Sequence, residues 1–216
     1  MLGVVGMNFG DTLGFICCVW DDPRGVMRHL SNKQILQFDY ICFFDGKFSQ
    51  WEGKNEFPVD EVKNIIKDWS ESTGIQVYYE NIVGKTEASK RNHCLFRANQ
   101  IGMKWGLIVD ADEEFTLDRT EFDLETYLMN RGECHAVLVD NYQIPQRKPR
   151  LLDLKCRPYY KDNDHTKIYS GDTGKAISED ITATTFTVES IKIKHNKEFY
   201  SEYRFAQRNI YGATKH

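Results

Sequence analysis

The chain lacks any stretch approaching the ~18 to 20 consecutive apolar residues that span a bilayer, so no transmembrane segment is expected. It also lacks a basic surplus: 28 Lys and Arg stand against 32 Asp and Glu, a formal net charge of −4. A general nucleic-acid binder gathers excess Lys and Arg on one face to neutralise phosphates, and this balance argues against one. Among the six cysteines (17, 18, 42, 94, 134 and 156) there is no CxxC pair or finger-like spacing. They sit mostly in apolar runs such as Phe15-Ile16-Cys17-Cys18-Val19, which favours buried free thiols over disulfides or a zinc site. The N-terminus shows no basic segment followed by an apolar core and cleavage site, so the expectation is a soluble, cytoplasmic protein suited to a reducing compartment. Internal repeats and low-complexity tracts are missing too. What is present, 216 residues of which 41% are hydrophobic, suits one globular domain that closes a core without disulfides.

Short apolar runs alternate with helical patterns through the first half. Residues 13–20 (Leu-Gly-Phe-Ile-Cys-Cys-Val-Trp) end at Asp21-Asp22-Pro23, and Tyr40-Ile41-Cys42-Phe43-Phe44 ends at Asp45-Gly46. Both read as strands buried on two faces. Ile75 to Tyr79 and Trp105 to Val109 are the third and fourth strand candidates. Helices are expected from Pro23 to about Gln37, from Pro58 to Gly74 with apolar residues at Val62, Ile65, Ile66 and Trp69, and from Lys85 to Met103. This alternation implies right-handed βαβ units and a mainly parallel α/β sheet, whose ligands bind beyond the carboxyl ends of the strands. Asp21, Asp45 and Asp110 fall at such ends. The second half is more polar: a helix near Leu124 to Met129, mixed or antiparallel strands near Ala136 to Val139, Arg150 to Leu154 and Thr182 to Val188, and an irregular loop from Lys161 to Ser178.

Four of the five residues from Asp110 to Glu114 are carboxylates. Clustered acids repel one another unless a cation or a proton resolves the conflict. Mg2+ or Mn2+ is one occupant that fits, since hard ions accept one or two carboxylates together with phosphate oxygens and water. The other reading is a strand ending in a helix cap, with Asp110 or Asp112 capping and the glutamates favoured by the helix dipole. Spacing alone leaves both open.

The segment RNHCLFRANQIGMKWGLIVDADEEF, Arg91 to Phe115, resembles the central block of family 2 glycosyltransferases of the GT-A fold. There an Arg-Asn, an Ala and a Gly precede an apolar strand ending in Asp-x-Asp-Glu. The likeness covers about residues 13–115 and thins beyond. It implies a Rossmann-like GT-A domain over 1–216, with a nucleotide-binding half at about 13–115 and an acceptor-side half at about 116–216. It implies that Asp45 hydrogen-bonds the nucleotide base, a carboxylate suiting the imide N–H of uracil. Arg91 would lie near base and phosphates, and Asp110 and Ala111 would line the ribose and metal region. Asp112 would be the direct ligand of an Mn2+ or Mg2+ bridging the diphosphate, with Asp110 beside it. Trp20 or Asp21, where the first strand departs from the family pattern, would flank the base.

Further along, Ile191-Lys192-Ile193-Lys194-His195 resembles a late strand whose His is a further metal ligand or diphosphate contact, and Lys197, Arg204 or Arg208 would offset phosphate charge. The general base is less marked. Many relatives carry a His-Glu pair after Tyr-x-Gly, whereas here Tyr169-Ser170-Gly171 runs into Asp172-Thr173-Gly174-Lys175. Asp172 is the first candidate catalytic base, followed by Glu179 and Asp180, with Glu114 as another acid in reach. The expected activity is therefore an inverting, metal-dependent transfer of sugar from a nucleotide-sugar donor, UDP-linked in the first instance, to a glycan, lipid or protein acceptor. Two alternatives stand beside it: a sugar-phosphate nucleotidyltransferase, which would want a Gly-rich basic loop after the first strand, and a non-catalytic nucleotide- or sugar-binding module of the same fold.

Overall fold

A computed structural model of the chain describes residues 12–49, 55–129, 134–141, 145–161, 164–177 and 185–195. Its centre is an eight-stranded sheet ordered β3-β2-β1-β4-β7-β6-β10-β5. The first four members in that order, β3 (Tyr78–Asn81), β2 (Tyr40–Asp45), β1 (Leu13–Cys18) and β4 (Trp105–Ile108), are all parallel. Their apolar runs are continuous because both faces are covered. Phe15 and Phe43 pack into one buried cluster with Val26 and Ile66, while Ile16 and Phe44 pack into another with Cys94 and Ala98.

Helices cover these faces, and local chemistry sets their ends. Asp22 caps α1 (Pro23–Ser31), its carboxylate accepting the Gly25 N–H at 2.9 Å, with Pro23 in the first turn where no N–H is needed. The helix stops short of Gln37. The Asn32 side chain accepts the Gln34 N–H and starts a separate 3-10 turn, Lys33–Gln37. α2 (Glu61–Thr73) ends at Gly74 in the left-handed region, φ 72°. α3 (Glu87–Gln100) is capped by Thr86, whose hydroxyl accepts the Ser89 N–H at 3.1 Å. No helix among the described residues is long and apolar enough to cross a membrane, and Cys17, Cys18, Cys42, Cys94 and Cys156 are free thiols.

The second half builds the other side of the sheet. After β4 the chain turns and forms β5 (Glu113–Leu117) at the far edge, then α4 (Arg119–Met129), with Asp118 accepting the Glu121 N–H. β6 (Cys134–Asn141) and β7 (Pro145–Asp153) follow, β7 running antiparallel to both β4 and β6. A small hairpin, β8 (Tyr159–Lys161) and β9 (Asp164–Tyr169), takes the first part of the irregular loop expected from Lys161 to Ser178, and residues 170–177 remain turns. Asn92 of α3 clips it in place, accepting the Tyr160 N–H at 2.6 Å and donating to the Tyr160 carbonyl at 2.8 Å. Last, β10 (Thr185–His195) inserts between β6 and β5, setting His195 opposite Glu113. The whole is an α/β Rossmann-like sheet with a mixed C-terminal part, as the alternation of apolar runs implied.

Candidate functional site

The parallel strands β1, β2 and β4 release their chains at one edge, and the acids that the sequence placed there behave differently from one another. Asp21, two residues beyond Val19, adopts φ 50° and turns its carboxylate onto the chain, accepting the Glu56 N–H at 2.5 Å and the Phe57 N–H at 3.0 Å. It fastens the segment after β2. Trp20 beside it is buried, 9% exposed.

Asp45 ends β2 at 5% exposure. One oxygen accepts the Gly46 N–H at 2.7 Å and the other the Tyr79 hydroxyl at 3.3 Å. Burial pushes its carboxyl above the usual range, against the pull of the Gly46 N–H and of Lys90. Lys90, on α3, is fully buried and donates its ammonium to the carbonyls of Val19 (2.5 Å) and Gly46 (2.7 Å). One cation thus ties together the loops that leave β1 and β2. Gly46 itself has φ 115° and lies so close to the Ile82 carbonyl that a Cβ would come within 2.2 Å.

The turn after β4 carries the densest chemistry. Asp110 gives one oxygen to Arg91 at 3.1 Å and the other to Arg150 at 3.3 Å. Arg150, on β7, also reaches Glu113 at 2.6 Å, and the second Glu113 oxygen accepts the Asp110 N–H at 2.8 Å. Burial pushes the Asp110 carboxyl up, but the two guanidiniums outweigh it and hold the group well below the ordinary carboxylate range. Arg91 spans further, to Glu87 at 3.2 Å and over the Tyr160 ring at 5.7 Å. Ala111 is buried and its carbonyl accepts from Arg28 at 2.9 Å.

This geometry settles the choice between a cation-resolved cluster and a helix cap: residues 113–117 are extended, so neither Asp110 nor Asp112 caps a helix. It also corrects the electrostatic argument for a metal. Two of the acids are paired by arginines from α3 and β7, and Glu114 points to the exposed side of β5, in register with Lys194. Among the described residues no three His, Cys, Asp or Glu side chains gather as a metal-ligand set. Asp112, 5% exposed, and His195 do approach, Nδ1 to Oδ2 at 3.9 Å. Groups about 2.1 Å from one shared ion stand about 3 to 4 Å apart, so the spacing of this pair would allow both to bind one hard divalent ion; the same His195 nitrogen lies 3.8 Å from Glu113 Oε1.

Asp172 makes no contact with the acids of this turn among the described residues. It pairs with Arg157 at 2.8 Å, and Arg157 follows the 3-10 turn (Leu154–Cys156) that leaves β7. That turn follows Asp153, which lies opposite Trp105, the first residue of β4. Glu179, Asp180, Lys197, Arg204 and Arg208 lie outside the described residues. Sequence reasoning missed Arg150, Lys90 and the structural part played by Glu113. The available signal for Arg150 was a charge abutting the apolar pair Leu151-Leu152 in a strand.

No protein-family model and no curated protein matches the sequence. Among solved structures, the chain is similar to S. aureus TarS 1–349 in complex with UDP, with TM-score 0.54 and 8% identity over 89% of this chain and 63% of that one. Two further TarS structures are covered over 22% and 38% of their length, so this chain spans less than two thirds of each TarS chain. Weaker likenesses are to 4-diphosphocytidyl-2C-methyl-D-erythritol synthase from Anaerococcus prevotii (TM-score 0.45, 11% identity, 94% of this chain and 97% of that one). Another is to the mannosyltransferase PcManGT from Pyrobaculum calidifontis in complex with GDP-Man and Mn2+ (TM-score 0.37, 14% identity, 61% and 35%). The likeness to TarS shows a shared GT-A-like fold.

Proposed function

We propose that the chain is a nucleotide-sugar-dependent glycosyltransferase, with UDP as the carrier and an inverting transfer as the reaction. The observation that carries this reading is the convergence of Asp45, Arg91, Asp110 and Asp112 on one sheet edge, at the strand ends where such folds bind ligands. That the fold is shared with a structure solved with UDP supports the choice of carrier. Asp45, its carboxyl raised but flanked by Lys90, is the group to accept the uracil imide N–H. Asp112 and His195 are the residues that would hold Mn2+ or Mg2+. Such an ion, when bound, supplies Lewis-acid stabilisation to the departing nucleoside diphosphate. Deprotonation of the acceptor falls to Asp172, Glu179 or Asp180, the carboxylates that follow Tyr169-Ser170-Gly171.

Calorimetric titration with UDP, with and without Mn2+, tests the reading. Wild type should bind UDP more tightly with Mn2+, and Asp112→Ala should lose that gain. Absence of UDP binding, or an Mn2+ effect untouched in Asp112→Ala, would sink it. Nucleoside diphosphate is the expected product from a nucleotide sugar, and no pyrophosphate is expected from a nucleoside triphosphate supplied with a sugar phosphate.

A further inference from the structure

We propose that Arg150 joins Arg91, which the family resemblance already puts near the phosphates, in receiving the donor's diphosphate, with Asp110 as the residue that positions both arginines. The inference rests on the reading of the site as a nucleotide-sugar site and assigns the diphosphate contacts within it. Asp110 stands between the two side chains, one oxygen at 3.1 Å from Arg91 and the other at 3.3 Å from Arg150. Its side chain is 26% exposed and those of Arg91 and Arg150 are 15% and 16%, so the cluster is largely buried without being closed off from solvent. Arg150 is fixed a second time by Glu113, which is itself 1% exposed and bonded to the Asp110 N–H. Each guanidinium offers five N–H donors in a planar fork; among the described residues these bonds engage Nη1 and Nη2 of Arg150, once each, and Nε and Nη2 of Arg91. The remaining N–H groups suit phosphate oxygens in a bidentate approach.

Stability alone is a poor account of Arg150. A buried ion pair is usually replaceable by apolar residues without loss, because desolvation offsets the attraction. Here the arginine follows the chemistry of the turn. It belongs to β7, about 40 residues from Asp110 in sequence, and antiparallel pairing of β7 with β4 delivers it to the carboxyl end of β4. The consequence is a division of labour: part of the diphosphate affinity comes from the arginines and needs no metal ion, and Asp112 with His195 supplies the metal-dependent part.

The test compares UDP with uridine by calorimetry in EDTA, so that the difference reports the diphosphate contacts without metal. Wild type should prefer UDP over uridine in EDTA. Arg150→Met should lower that preference about ten- to a hundredfold, the range for losing charge-assisted hydrogen bonds, while uridine affinity stays as in wild type. Because Arg150→Met strands Glu113 without its partner, the double variant Arg150→Met/Glu113→Gln is measured alongside and should show the same loss. An unchanged preference in the double variant, with uridine still bound, overturns this inference and leaves the wider reading intact. Failure of wild type to bind either uridine or UDP, with or without Mn2+, removes both.

Discussion

Neutral His29 lies against the rings of Phe15 (5.1 Å between centroids) and Phe115 (6.1 Å) and donates its Nε2 proton to the Asp110 carbonyl at 3.2 Å. Of the groups facing it, Arg28 opposes protonation, while Asp110 and Asp112 favour it. Burial exceeds them all and pulls the imidazole down to about 4. In the unfolded chain the same group titrates near 6.5. Between these values the unfolded state binds the extra proton, so the stability that His29 contributes is complete above about pH 6.5 and falls as pH drops toward 4. At pH 5 the loss relative to pH 7.5 is about 2 kcal/mol. Urea denaturation at both pH values should show that loss in wild type and not in His29→Phe, which keeps an aromatic ring in place. Equal pH slopes in the two proteins would remove His29 as the cause.

At the scale of elements, the first turn of α1 and the turn after β4 are in direct contact. A Cβ on Gly25 would meet the Ala111 carbonyl oxygen at 2.5 Å and the Ala111 Cβ at 2.9 Å. Gly25 is thus what lets the helix approach the Asp110 to Asp112 turn. Alanine at an ordinary helix position would stabilise by about 1 kcal/mol relative to glycine. Here the contact is with backbone, and overpacking of this kind costs about 1 to 3 kcal/mol. Gly25→Ala should therefore be no more stable than wild type in urea and should bind UDP with Mn2+ at least roughly tenfold more weakly, equivalent to about 1.4 kcal/mol. A more stable variant with unchanged affinity would show that the turn tolerates displacement.

Such contacts also explain which elements could be read from the chain. β1, β2 and β4 are buried on two faces, and their runs, Leu13 to Val19, Tyr40 to Phe44 and Trp105 to Val109, are apolar throughout. β5 is different: Phe115 and Leu117 face the core, Glu114 and Thr116 face out, and its first residue is a buried acid partnered by Arg150 and the Asp110 N–H. Read locally, Glu113 and Glu114 suit a helix start. The β8–β9 hairpin is polar for a related reason, since it rests on α3 through Tyr160 and the Asn92 clip while Lys161 stays exposed. Asn92 of the Arg-Asn pair therefore turns to the hairpin, and Arg91 to the site.

Across the whole molecule, the candidate site draws on strands far apart in sequence. Asp45 and Asp110 follow from local patterns at strand ends, but Arg150 arrives by β7 pairing with β4, and His195 by β10 pairing with β5. Local patterning carries no information about either partner, which is why the acid cluster reads from sequence as a charge awaiting a metal, although the fold supplies two arginines. A carboxylate in a polar loop, such as Asp172, gives equally little local sign of the arginine, Arg157, with which it pairs. The same construction makes ligand binding a probe of cooperativity. A ligand that touches groups from β2, α3, β4, β7 and β10 stabilises all of them against unfolding, because it binds only when they are assembled. At UDP and Mn2+ concentrations a hundredfold above the dissociation constant, the gain is about 2.7 kcal/mol. For a chain of this length that corresponds to a rise of about 5 to 10 °C in Tm. The entire calorimetric transition should move by that amount in wild type, and much less in Asp112→Ala. If only part of the transition shifts, the parallel half and the mixed half unfold separately, and the residues of β7 and β10 do not share the ligand with those of β2 and β4.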